Sequence, residues 1–132
     1  MRRVRRQTHQ AATGNSIGNS LDGGIGADTM NGGGGSDTYY VDSTGDVVQE
    51  DAASGTDLVF SNVNWTLSAN LENLTLGWGL SLTIFPPPSI DGTGNELGNV
   101  LVGNAGVNLL SGLAGDDTLT GGLGDDSLDG GS

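Results

Sequence analysis

No cysteine occurs in this sequence of 132 residues, only one histidine does, and every arginine or lysine falls within the first six positions. Without cysteine there is no disulfide scaffold, no thiol nucleophile and no zinc–thiolate site. Without basic residues beyond Arg6, residues 7–132 hold all 16 acids and a formal charge of −16. Such a body repels phosphate backbones and anionic lipid, which sets aside nucleic acid and membrane insertion and favours cations as partners. No run of about 18 apolar residues is present to cross a bilayer as a helix. Aromatic residues make up 5% and hydrophobic residues 34%, which is thin for a conventional core. No stretch shows a helical period. The lone histidine, His9, precedes the G-x-S-x-G match at Gly14-Asn15-Ser16-Ile17-Gly18. A nucleophile elbow needs an acid and then a histidine after its serine, so no hydrolase is read here.

Glycine is what the sequence has in excess, and it is periodic. There are 25 glycines, about 19% against roughly 7% in average proteins. Cut every nine residues, one block reads GNSIGNSLD (14–22), GGIGADTMN (23–31) and GGGGSDTYY (32–40). A second reads GNELGNVLV (94–102), GNAGVNLLS (103–111), GLAGDDTLT (112–120) and GGLGDDSLD (121–129). Position 1 is always Gly. Position 6 is Asn19, Asp28, Asp37, Asn99, Asn108, Asp117 and Asp126; position 8 is Leu21, Met30, Tyr39, Leu101, Leu110, Leu119 and Leu128. Thr13–Leu21 also matches Thr93–Leu101, so the chain reads as one large unit and the opening of another.

Four segments follow. Residues 1–13 start basic and polar with no apolar h-region behind, so a disordered leader is expected and not a Sec signal. Residues 14–40 are the first repeat block. Residues 41–93 are a β-rich spacer continuing the same architecture, and 94–132 are the second block, truncated within a repeat. In the spacer, Leu58 and Phe60 alternate, then Val63, Trp65 and Leu67 do so in shifted phase, predicting a bend near Ser61-Asn62. Leu74 and Leu76, then Leu80, Leu82 and Ile84, continue the alternation, and Pro86-Pro87-Pro88 ends it because proline cannot donate to a ladder. The fold class is all-β.

Physically, a unit G-G-x-G-x-D-x-U-x turns tightly on its glycines, converging carbonyl oxygens on the carboxylate at position 6. Positions 7–9 form a short strand whose position-8 side chain points inward. Two units per coil stack into a flattened solenoid. Each coil buries about two large side chains, too few to offset roughly 1–2 kcal/mol of backbone entropy per residue. Oxygen-rich turns without thiol or imidazole suit a hard cation, and calcium accepts six to eight oxygens in flexible geometry. Binding and folding then become one event.

The units 23–31, 32–40, 112–120 and 121–129 closely resemble the RTX (haemolysin-type) calcium-binding repeats of secreted bacterial proteins. DTYYVDSTGDVVQED, SGTDLVFSNVNWTLSANLENLTL and IDGTGNELGNVLVGN resemble segments found between such blocks. The resemblance implies a parallel β-roll, a right-handed β-solenoid, with calcium between alternate turns and type I secretion to the extracellular side. The ligands it implies are Asp28 with Gly23, Gly24 and Gly26; Asp37 with Gly32, Gly33 and Gly35; Asp117 with Gly112 and Gly115; and Asp126 with Gly121, Gly122 and Gly124. Asn19, Asn99 and Asn108, the last with Gly103 and Gly106, stand at position 6 as weaker ligands or as Asx turns. Ions would bridge turns 18 residues apart, pairing Asn19 with Asp37, Asn99 with Asp117, Asn108 with Asp126, and Asp28 with a spacer residue near Asp46. Asp116 and Asp125 are expected to face water.

The function expected is a calcium-ion-binding module that folds on calcium outside the cell and is not an enzyme. The alternatives are a structural or adhesin segment of a cell-surface array, or the non-catalytic tail of a secreted hydrolase. Self-association through exposed solenoid ends is a further expectation.

Overall fold

The computed structural model describes residues 9–77 and 86–132, and among these every regular element is a strand. The basic run before His9, Trp78 and the Leu80–Ile84 alternation lie outside the described residues. In the first half the strands are β1 (Ala11–Asn15), β2 (Ser20–Asp22), β3 (Thr29–Gly33), β4 (Thr38–Val41), β5 (Val47–Gln49) and β6 (Leu58–Ser61). They continue as β7 (Trp65–Thr66), β8 (Asn73–Leu76), β9 (Gly92–Thr93), β10 (Val100–Val102), β11 (Leu109–Ser111), β12 (Thr118–Thr120) and β13 (Ser127–Asp129). β1 starts at Ala11, inside the segment expected as leader, because its residues pair with Thr29–Gly33 of β3.

Odd and even strands separate onto two faces, and every pairing is parallel. One face is a single sheet in the order β2-β4-β6-β8-β10-β12. The other is split into β1-β3-β5 and β7-β9-β11-β13. Each coil of this β-solenoid therefore lays one strand on each face, as two short units per coil require. In the repeat blocks neighbouring coils are 18 residues apart, as in Ser20 opposite Thr38 and Val100 opposite Thr118. The spacer keeps the same sheets but changes the count. Leu58 lies 20 residues beyond Thr38, Asn73 lies 15 beyond Leu58, and Val100 lies 27 beyond Asn73.

Position 8 builds the core. Leu21, Tyr39, Val59, Leu74, Leu101 and Leu119 follow one another in register on the six-stranded face. All are buried except Leu119, which is half-buried near the edge, and on the opposite face Met30, Val48 and Leu110 are buried too. Gly92 stands in the column of Leu110, where an added Cβ would press on Leu74 and Leu110 at 3.1 and 3.2 Å. The large neighbours fill the space that Gly92 leaves.

The spacer alternation has the opposite inside to the one its bulkiest residues suggest. Val59 and Ser61 are buried, whereas Leu58 and Phe60 are only half-buried. Register decides this, because Val59 sits opposite Tyr39, and Phe60 falls beside Tyr40 with the rings stacked at 5.5 Å. The chain bends after β6 at Asn62-Val63, and Leu74 and Leu76 are both buried.

Candidate metal centre

The seven nonapeptide turns are of two kinds, distinguished by backbone and by position 6. In the aspartate turns, positions 2 and 4 have positive φ: Gly24 and Gly26, Gly33 and Gly35, Leu113 and Gly115, Gly122 and Gly124. None of the residues in the asparagine turns 14–19, 94–99 and 103–108 does. Positive φ is nearly free for glycine but costs about 1–2 kcal/mol for an ordinary residue. Leu113, with φ of 76°, carries that cost.

Position 1 is glycine for a different reason. A Cβ on Gly32, Gly112 or Gly121 would overlap Oδ2 of Asp37, Asp117 or Asp126, and one on Gly23 would lie 2.6 Å from Oδ2 of Asp28. The missing side chain makes the cradle into which the carboxylate folds.

Each of these carboxylates caps the coil before it. Oδ1 of Asp28 accepts from the Gln10 amide at 2.7 Å, and Oδ1 of Asp37 from the Asn19 amide at 2.6 Å. Oδ1 of Asp117 accepts from Asn99 at 2.7 Å and Oδ1 of Asp126 from Asn108 at 2.9 Å. The spacer continues the ladder, first with Asp46 at the expected 18 residues and then with Asp57 and Glu72, which an 18-residue count misses. Asp46 caps the Asp28 amide at 2.9 Å, Asp57 caps Asp37 at 2.7 Å, and Glu72 caps Asp57 at 2.8 Å. Asp57 could have been found from Gly55-Thr56-Asp57-Leu58-Val59, which keeps the G-x-D-x-U part of the unit. Asp28 and Asp46, and Asp37 and Asp57, are thus stacked pairs of two aspartates.

Oδ2 is what these carboxylates leave over. Those of Asp28, Asp37, Asp57 and Asp117 are buried and have no hydrogen-bond partner among the described residues. Asp28 and Asp37 are each 1% exposed and Asp57 is 0% exposed. A buried unpartnered carboxylate oxygen is costly and calls for a positive charge. No lysine or arginine lies beyond Arg6 to supply one. Burial foremost, then neighbouring acids, raises the pKa of Asp57 and of Asp42, which lies near Asp46, Asp22 and Asp28. Burial also raises that of Glu50, against the Tyr39 and Ser54 hydroxyls that stabilise its charge. Carboxylate oxygens beside glycine carbonyls, with nothing softer nearby, fit calcium.

The asparagine turns have no such surplus. Oδ1 of Asn19, Asn99 and Asn108 accepts from the amides of Asn15, Asn95 and Asn104 at 2.8, 2.7 and 2.9 Å. Nδ2 of Asn99 donates to the carbonyls of Leu71 and Glu72, and Nδ2 of Asn108 to that of Ile90 at 2.6 Å. At position 2, Asn95 donates to the carbonyls of Ser68 and Leu71, and Asn104 to that of Pro88. Amide N–H groups here occupy carbonyls that an ion would otherwise use. Asp116 and Asp125 are exposed. Ser16 lies in a bend between two strands, not at a strand-to-helix elbow, and His9 Nδ1 is 2.6 Å from the Ala27 carbonyl oxygen.

A family model described as the RTX calcium-binding nonapeptide repeat matches the chain in four copies, over residues 13–48 and 93–132. These matches cover more than half of the chain. No curated protein and no solved structure matches it.

Proposed function

The chain belongs to the RTX calcium-binding nonapeptide-repeat family, and from that membership we propose a calcium-dependent folding module of a secreted bacterial protein. It stays loosely ordered where calcium is scarce and closes into its roll outside the cell. It serves as scaffold and performs no catalysis. Asp28, Asp37, Asp117 and Asp126 hold the ions together with carbonyl oxygens of their own glycine turns. The observation that carries this reading is the row of buried Oδ2 atoms without partners in a body that has no basic residue. Asn19, Asn99 and Asn108 serve the same turns through their amides, without metal.

The test is a calcium titration of metal-stripped protein followed by far-UV circular dichroism, with magnesium as control. A rise in β signal with calcium alone is expected, at about the 10⁻⁴–10⁻³ M typical of extracellular modules. A full β spectrum in chelator would reject metal-driven folding.

A second role, self-association, is favoured by the edge strands β12 and β13, where Leu128 is 49% exposed. Open edges invite pairing with another chain. Sedimentation should show concentration-dependent oligomers that Leu128→Lys disperses; a monomer at every concentration would exclude this role.

A further inference from the structure

Where the nonapeptide turn of Asp37 meets the middle segment, three carboxylates converge inside the roll. Asp37 precedes β4, while Glu50 and Asp57 flank the connection from β5 to β6, in the segment that the family model does not match. Each offers an oxygen within 4.8 Å of the other two. All three are buried, Glu50 at 9% exposure being the most open. Hydrogen bonds leave the cluster short of positive charge. Asp37 and Asp57 each use Oδ1 on a backbone amide of the preceding coil, and Oδ2 of both has no partner. Glu50 accepts the Tyr39 hydroxyl on one oxygen and the Ser54 hydroxyl at 2.8 Å on the other. The Tyr39 oxygen in turn accepts the Gly32 amide at 2.7 Å.

We propose that Asp37, Glu50 and Asp57, with the Tyr39 hydroxyl oxygen, form a calcium site in which the middle segment adds Glu50 and Asp57 to the carboxylate of the repeat turn 32–40. The coil length makes it. Asp57 caps Asp37 across 20 residues where the repeat blocks use 18, and the longer connection brings in the Glu50 side chain. Three negative groups around two unpartnered oxygens need a countercharge of two or more to be held in a dry interior. Oxygens within 4.8 Å of one another are compatible with calcium, whose opposite ligands stand roughly 4.6–5.2 Å apart and whose coordination geometry is flexible.

The inference rests on the reading that the chain takes calcium and that Asp37 is one of its ligands; what it adds is Glu50, Asp57 and the Tyr39 hydroxyl. Calorimetric titration of calcium into native protein and into Glu50→Gln should show one ion fewer in the variant. Glu50→Gln should also melt higher than native in metal-stripped buffer, having lost one repelling charge, which separates a lost site from a lost fold. In a Tyr40→Phe background, Tyr39 is the only tyrosine left. Terbium emission excited through tyrosine should then fall several-fold in Tyr39→Phe and persist in Asp116→Asn, a change at an exposed carboxylate. An unchanged ion count in Glu50→Gln, or terbium emission indifferent to Tyr39→Phe, overturns the site while leaving the calcium module standing. No ion bound by native protein removes both.

Discussion

A single methyl group tests the cradle. Gly112 has no side chain because Oδ2 of Asp117 occupies the place of its Cβ. Gly112→Ala should push that carboxylate out of the turn, cost about 1–3 kcal/mol as overpacking does, and raise the calcium midpoint. Equilibrium urea unfolding with and without calcium measures both. The neighbouring residue predicts the opposite sign. Leu113 holds a φ of 76° where the other three aspartate turns have glycine, and its side chain is 46% exposed, so little packing is lost with it. Leu113→Gly should stabilise the protein by up to about 1 kcal/mol, the strain relieved less the greater freedom of unfolded glycine. A loss of stability in the same urea series would show that the strain is imaginary.

At the scale of the turn, the proposed function has the choice between aspartate and asparagine exchange an ion for an amide. Asn108 is 1% exposed and donates to Ile90 and Asn104. Asn108→Asp replaces those donors by a buried charge, so the metal-free protein should lose about 1–3 kcal/mol. Calcium should recover part of the loss, and thermal melts in chelator and in calcium would reveal it. The sequence made position 8 legible, because Leu21, Met30, Tyr39, Leu101 and Leu110 recur every nine residues and each lands in the core. It set the asparagine turns apart at position 6 but left open whether they ligate weakly or only shape the loop, because the physical difference lies in φ and in which atom donates. Asp57 escaped because a 20-residue coil breaks the 18-residue count. Leu58 and Phe60 misled because alternation says which residues share a face, and only register with Tyr39 says which face is inside.

For the whole molecule, protons should partly replace calcium. Burial holds the carboxyl groups of Asp57 and Glu50 above their ordinary range, so the fold binds protons more tightly than the unfolded chain does. Stability of the metal-stripped protein is therefore lowest where both are ionised, and it rises as the pH falls from 7 through their raised values. Melting temperatures in metal-stripped buffer should increase from pH 7 to about pH 5, and calcium should flatten the trend. A melting temperature that drops steadily over that range would mean the fold holds its carboxylates ionised more readily than the unfolded chain does, against the effect of burial.

The ladder of capping carboxylates has one further property, which is polarity. Asp28, Asp37, Asp46, Asp57, Glu72, Asp117 and Asp126 each come from a later coil and satisfy an amide of an earlier one, and among the described carboxylates that cap across coils only Asp91, which caps Leu109, runs the other way. Two cuts of equal length are therefore unequal. Removing a coil from the front discards an amide and leaves its former cap with an idle oxygen, whereas removing one from the back strips the new last coil of its acceptor. The roll has a grain, like wood, and it should fray more readily from one side than the other.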